Sequence, residues 1–342
     1  MDSSMHRTFV GFVALSGLPA LLLLGPACAD SDQPSRAAAG PLSWARVERV
    51  GHYAFEGGVL EDEDLSGIAC ASDRCCLVGT DEGHEVQLVE LDRKTRTLTV
   101  GRTIGLVASG VEIDIEAIAA EDNSFFILGS HGVAKKTGEY QENRYRVFRL
   151  GVDPQTGSVT GLDASSLSNL LRADPVLGPH FRRPLQQRGV NIEGLAVRTG
   201  RLFFGLRSPN LGGVAFVLEI SAADVFGGNA KPDYTLHKLN LGAGLGIREI
   251  VAARTCFLII AGNSGAEPSE TYTHAENYRQ GRGYTLFTWN GRGPDVHRVG
   301  PIPNPPGKAE AMTILEESAD HATVLILFDG PKRGRPTVYR ID

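Results

Sequence analysis

At 342 residues the chain is long for one ordinary core unless it builds a barrel, a propeller or two domains. With 42% hydrophobic and 22% charged residues it is no disordered chain, and a net charge of −6 excludes a globally basic nucleic-acid binder. Its 41 Gly against 3 Met point to many turns and β-rich packing.

Residues 1–29 read as an export signal. Arg7 precedes an apolar run, "FVGFVALSGLPALLLLG" from Phe9 to Gly25, and "ACA" at Ala27–Ala29 supplies a small-residue cleavage site before Asp30. The run is short for a membrane span and Pro19 interrupts it, so a retained anchor is the weaker reading. Lipidation at Cys28 is disfavoured because Gly25 stands where such a signal wants an aliphatic residue. The mature protein is thus expected in the periplasm or secreted, as a monomer without a transmembrane span. Residues 30–43, with "SDQPSRAAAG", read as a flexible linker, and residues 44–342 as one domain.

Export permits disulfides. In "CASDRC" two cysteines bracket four turn-like residues, so Cys70 is expected to bridge Cys75 or Cys76 across a hairpin. No second Cys or His pair stands at ligand spacing, which argues against a zinc site.

The same phrase then recurs five times: "DLSGIACASDRCCLVGT" from Asp64, "DIEAIAAEDNSFFILGS" from Asp114, "NIEGLAVRTGRLFFGLRS" from Asn191, "GIREIVAARTCFLIIAGN" from Gly246 and "KAEAMTILEESADHATVLILFDG" from Lys308. Each is two apolar runs of strand length joined by polar residues, a β-hairpin pattern. A third β-rich stretch follows each hairpin, and a fourth follows most, the weakest being "SVTGLD" from Ser158. "DASSLSNLLRADPVL" from Asp163 is the one stretch with helical character. Repeated four-stranded units predict an all-β fold, a β-propeller. The last unit lacks a strand that "WARVERVGHYAF" from Trp44 can supply, closing the ring. Five blades are favoured; the long gap before the third repeat leaves room for a sixth.

In such a hairpin the start of the first strand and the end of the second share one face near the axis. The strand starts place Ser66, Glu116, Glu193, Arg248 and Glu310 at one aligned position. The strand ends add Asp81, His131, Arg207, Asn263 and Asp329, and the insertion "HFRRPLQQRG" adds Arg183. A repeated Glu in this place can simply satisfy neighbouring backbone or an Arg. The scatter of residue types across the five copies instead favours an asymmetric ligand site.

Two functions fit. In one, the mouth binds an anionic small molecule or an envelope protein through Arg207, Arg248, Lys308, Asn263 and Arg183, without chemistry. In the alternative, Asp114, Glu116, Glu193 and Glu310 hold Ca²⁺ for a phosphoesterase- or esterase-like hydrolysis, with Glu116 and His131 as the catalytic pair. No nucleophile elbow, phosphate loop or zinc-protease motif is present. Binding without catalysis is preferred.

The stretches "DIEAIA…FFILGSH", "NIEGLAV…LFFGLRSP", "GIREIV…LIIAG" and "KAEAM" resemble the bacterial domain-of-unknown-function family 3616, over Arg46 to Asp342. That resemblance implies an exported, propeller-like protein of no established activity. The strand starts are more distantly similar to the esterase-like phytase and SdiA-regulated propellers, where acidic positions imply metal or phosphate chemistry. Ser66 and Arg248 depart from that acidic pattern.

Overall fold

A computed structural model describes residues 44–60, 63–108, 110–229 and 231–342. The expected export signal, the linker and Cys28 lie outside the described residues. Among the described residues no helix is long and apolar enough to cross a membrane.

Strands dominate. β1 (Val47–His52) and β2 (Ala54–Glu56) come first and join different sheets. β3 (Leu65–Ser72), β4 (Cys75–Thr80), β5 (Glu85–Asp92) and β6 (Thr97–Gly105) form the first antiparallel sheet, to which β2 adds in parallel beside β6. The second sheet holds β7 (Ile115–Glu121), β8 (Ser124–Gly129), β9 (Val147–Val152) and β10 (Val159–Ser165). α1 (Ser168–Ala173) lies in the connection to the third sheet, whose strands are β11 (Asn191–Arg198), β12 (Arg201–Ser208), β13 (Ala215–Ser221) and β14 (Tyr234–Leu239). α2 (Ala222–Phe226) interrupts that sheet between β13 and β14. β15 (Leu245–Ala252), β16 (Phe257–Asn263), β17 (Thr285–Trp289) and β18 (Val296–Pro301) make the fourth. β19 (Lys308–Glu317), β20 (Ala322–Asp329) and β21 (Thr337–Ile341) make the fifth, and β1 completes it by pairing antiparallel with β21.

The innermost strands β3, β7, β11, β15 and β19 each pack against the next, and β19 packs back on β3. This is a closed five-bladed propeller. The expected closing strand is present, and the sixth blade is not: the long third interval holds α1 and the loop insertion instead. The N-terminal segment also does more than expected, because β2 crosses to the first blade after β1 has finished the last.

Five apolar cores fill the wedges, one between each pair of neighbouring blades. Strand alternation divides the residues between them. Phe125 and Ile127 of β8 enter the core shared with the first blade, while Phe126 and Leu128 enter the core shared with the third. Both faces of an inner strand are therefore buried, which is why the repeats read as unbroken apolar runs rather than alternating ones. Each such side chain contributes about 1.5–3 kcal/mol when fully buried.

The inner strands also share a fault in register. Pairing with the second strand skips at Ser66, Glu116, Glu193, Arg248 and Glu310, the aligned third position of every repeat. A bulge leaves its residue out of the ladder and re-aims its side chain, here at the channel wall. The next residue is small in four blades because neighbouring strands close in at the axis. A Cβ on Gly194 would stand 2.9 Å from the Ile250 backbone nitrogen, and one on Gly67 2.8 Å from the Ile118 side chain. In the fourth blade that place is taken by Glu249.

The disulfide joins Cys70 to Cys76, register partners on β3 and β4. Cys75 and Cys256 are buried free thiols; burial pushes the Cys256 thiol up to about 11.

Candidate functional site

Glu249 is fully buried and accepts hydrogen bonds from the backbone amides of Ile250 (2.8 Å) and Leu195 (3.3 Å). Burial holds its carboxyl well above the usual range, against the pull of those amides. It caps inner-edge amides that have no strand partner, a structural use of a carboxyl group.

The bulged residues form a chain of ion pairs. Glu193 on β11 is gripped from two sides, by Arg207 of its own blade at 2.6 Å and by Arg248 of the next at 2.7 Å. The other guanidinium nitrogen of Arg248 bonds Glu310 on β19. Arg207 spends the rest of its fork on the carbonyls of Asn263 (3.2 Å) and Gly265 (3.0 Å). Burial works against the Glu193 carboxylate, yet Arg207 and Arg248 hold its pKa below the ordinary value. Arg248 likewise stays charged, because Glu193 and Glu310 outweigh its desolvation. Burial pushes Glu310 upward against the pull of Arg248. In the first blade Ser66 bonds the Ile115 carbonyl of the second, so the ring's neutral member is also satisfied by a neighbour.

Over this layer lies a cavity of about 530 Å³, lined by Lys135, Lys136, Arg207, Arg248, Arg282 and Lys308 against the carboxylates of Glu267 and Glu310, with Gln186, Asn263, Ser269, Tyr278 and Tyr284 among the polar remainder. Six cations face two acids in a protein whose net charge is −6. Lys308 pairs with Asp329. Arg282 donates to the Ala243 carbonyl at 3.1 Å and has no carboxylate partner among the described residues. Lys135 is exposed. Its ammonium pays for desolvation, but Glu116 and other channel acids raise its pKa overall.

Three loops roof the cavity. Gln186, from the insertion before the third blade, donates to the carbonyls of Lys135 (3.1 Å) and Glu267 (3.0 Å). Tyr272 reaches the Thr137 carbonyl at 3.3 Å, and Asn277 donates to the Asn210 carbonyl at 3.0 Å. The long polar stretch after β16 overlies the mouth.

The structure brings together Arg207, Arg248, Lys308, Asn263 and Glu310 around one cavity, as the shared-face argument requires. Asn263 spends both ends of its amide on the Arg279 backbone and so holds the roof. Arg183 lines a narrow cleft beside the cavity, with Asp114 and Arg144.

The calcium set does not assemble. Glu193 and Glu310 are bound to arginines, and Asp114 receives Arg144 at 2.9 Å. Among the described residues no group of three or more His, Cys, Asp or Glu is arranged to hold a metal ion. His131 does not face the cavity. It is wholly buried, with Nδ1 2.8 Å from the Gly129 carbonyl and Nε2 accepting from the Leu167 amide at 3.2 Å. Burial lowers its pKa to about 4, and a proton on Nε2 would set two N–H groups against each other. The catalytic pairing of His131 with Glu116 is therefore not formed.

Sequence reasoning missed Lys135, Lys136 and Arg282. The first two follow β8 at the same rim as His131, so the rim argument extended a few residues would have reached them. Arg282 sits at the end of the roofing loop, where strand patterning gives no direction.

The family model described as "Protein of unknown function (DUF3616)" matches residues 64–152 and 155–340. No curated protein matches the sequence. Among solved structures, the chain is similar to a luciferin-regenerating enzyme, at 10% identity and TM-score 0.38 over 86% of this chain and 94% of that one. A catalytically inactive virginiamycin B lyase from Staphylococcus aureus, with quinupristin, gives 9% and 0.37 over 87% and 99%. A hypothetical selenium-binding protein from Sulfolobus tokodaii gives 10% and 0.38 over 80% and 75%. Likenesses this weak leave the site to be read from its own residues.

Proposed function

We propose that this chain, which belongs to the DUF3616 family of proteins of unknown function, binds a small anionic ligand in the cavity at one mouth of its propeller channel. The observation that carries this is the excess of cations at that mouth, with Lys135, Lys136 and Arg282 lacking any carboxylate partner among the described residues. Preorganised cations in a recess bind anions without having to break internal pairs first. The volume is that of a small-molecule site. Three of the four carboxylates that a metal-assisted hydrolysis needs are already committed to arginines, Glu193 and Glu310 to Arg207 and Arg248 and Asp114 to Arg144, which supports binding as the reading.

We place this activity outside the cytoplasm. The Cys70–Cys76 disulfide supports that location, since such bonds persist in oxidising compartments.

The test is calorimetric titration with inorganic phosphate and with citrate at low salt. The triple variant Lys135→Gln, Lys136→Gln, Arg282→Gln is expected to bind at least about 10-fold more weakly, with a shallower salt dependence. Equal affinity for wild type and triple variant would sink the proposal.

A further inference from the structure

We propose that the ligand of this cavity is zwitterionic: an anion that also carries an ammonium group, received by Glu116 and Asp81 on the channel side facing the first two blades. The inference rests on the anion reading above and narrows it to a substrate class.

Glu116 projects from the bulge of β7 and is 4% exposed, yet its Oε1 has no hydrogen-bond partner. Asp81, just past the end of β4, leaves its buried Oδ1 equally without one. The other acids of the mouth have partners: Glu193 has Arg207 and Arg248, Glu310 has Arg248, Asp114 has Arg144, Asp329 has Lys308, and Glu267 accepts from the Tyr278 hydroxyl at 2.7 Å. A buried acceptor without a donor is costly, and native structures keep few of them. Glu249 Oε2 is also unbonded, but its other oxygen accepts two backbone amides; Glu116 and Asp81, both within electrostatic reach of Lys135 on the cavity wall, describe a site lacking its donor.

Lys135 connects the two halves. It acts electrostatically on both Asp81 and Glu116 but forms an ion pair with neither, and it lines the cavity. An anion entering the cavity draws on the same ammonium. A purely anionic ligand therefore draws away a counter-charge that both acids share. A ligand whose own ammonium sits beside its anion replaces that charge as it takes it. Because Lys135 forms no hydrogen bond or ion pair through its ammonium among the described residues, no direct bond has to break for it to move aside. Burial already raises both carboxyls, Asp81 to about 8, which is the state an arriving cation would relieve.

The experiment compares L-aspartate with succinate, which differ by one ammonium group, against inorganic phosphate as the plain anion. Titrations use the wild-type protein, Glu116→Gln and Asp81→Asn, each checked for folding by thermal melting. We expect aspartate to bind about 10-fold more tightly than succinate, the size of one charge-assisted bond. Each substitution should weaken aspartate and leave succinate nearly unchanged, because only the ammonium of aspartate draws these raised carboxyls into their charged form. A residue with a merely structural role moves both affinities in the same direction. The two residues lie in different blades, so failure of one variant to fold leaves the other to decide. Equal affinities in the wild type, or a preference untouched by both substitutions, overturn the proposal. Binding of phosphate with neither dicarboxylate overturns it while sparing the anion reading. Absence of phosphate binding removes both.

Discussion

Arg248→Met tests the ion-pair chain most directly. Arg248 is 4% exposed and stands between Glu193 at 2.7 Å and Glu310, while Glu193 keeps Arg207 at 2.6 Å. Methionine retains most of the stem's volume, so the cavity term is small and the charge term dominates. Removing one partner of a buried pair leaves an uncompensated charge and costs about 3–5 kcal/mol. That is a large part of the roughly 5–15 kcal/mol that holds a typical domain. Glu310→Gln alone should cost less, about 1–2 kcal/mol, because Arg248 still has Glu193. The double variant should then fall about 2 kcal/mol short of the sum. Urea unfolding, with unchanged m-values, measures all three. The deficit of Arg248→Met should also shrink as pH falls from 7 toward 4. Freed carboxylates have raised folded-state pKa values, and a raised acid loses stability as pH rises. A loss under about 1 kcal/mol, or strict additivity, would refute the claim that these charges hold one another.

His131 predicts a second pH dependence of opposite sign. Its folded pKa is lowered to about 4, so the unfolded state takes up the proton first and stability falls as pH drops from about 6.5 to 4, by about 3 kcal/mol. His131→Asn, at a position with φ of 52° that Asn tolerates, should flatten that limb of the stability curve relative to wild type. Reducing the Cys70–Cys76 bridge, which spans a sequence separation of 6, should cost about 2 kcal/mol in urea unfolding with and without thiol reductant. A loss near zero would mean that the hairpin alone sets the unfolded-state constraint.

The fold was legible because the repeat is a physical necessity of wedge packing. Every inner strand buries both faces, so "IEAIAA" and "IEGLAV" read as solid apolar runs. The small residue after each Glu marks close approach at the axis. The shared face followed from counting strands, and Arg207, Arg248, Lys308 and Glu310 were found together as that count requires. Who pairs with whom was hidden. Glu193 meets Arg248 only because adjacent blades stand side by side, a relation between residues 55 apart that no local pattern records. The alternative calcium set meets the same obstacle, because Glu193, Glu310 and Asp114 are each paired with an arginine. His131 meets a different one. It stands two residues past the end of β8, where the chain turns inward with positive φ and tucks the ring under α1 rather than over the mouth. β2 escaped notice because only Phe55 of its three residues is buried.

The N-terminal crossover also fixes an order of events. Val47 pairs with Ile341 and Ala54 with Thr97, so one short segment fastens both sides of the same seam. The seam stays open until Thr337–Ile341 has left the ribosome, so a strand made near the outset must wait for one made at the end. Nascent chains arrested before Thr337 should therefore remain cleavable by added protease, while released chains resist it. Such a molecule closes its ring all at once and late.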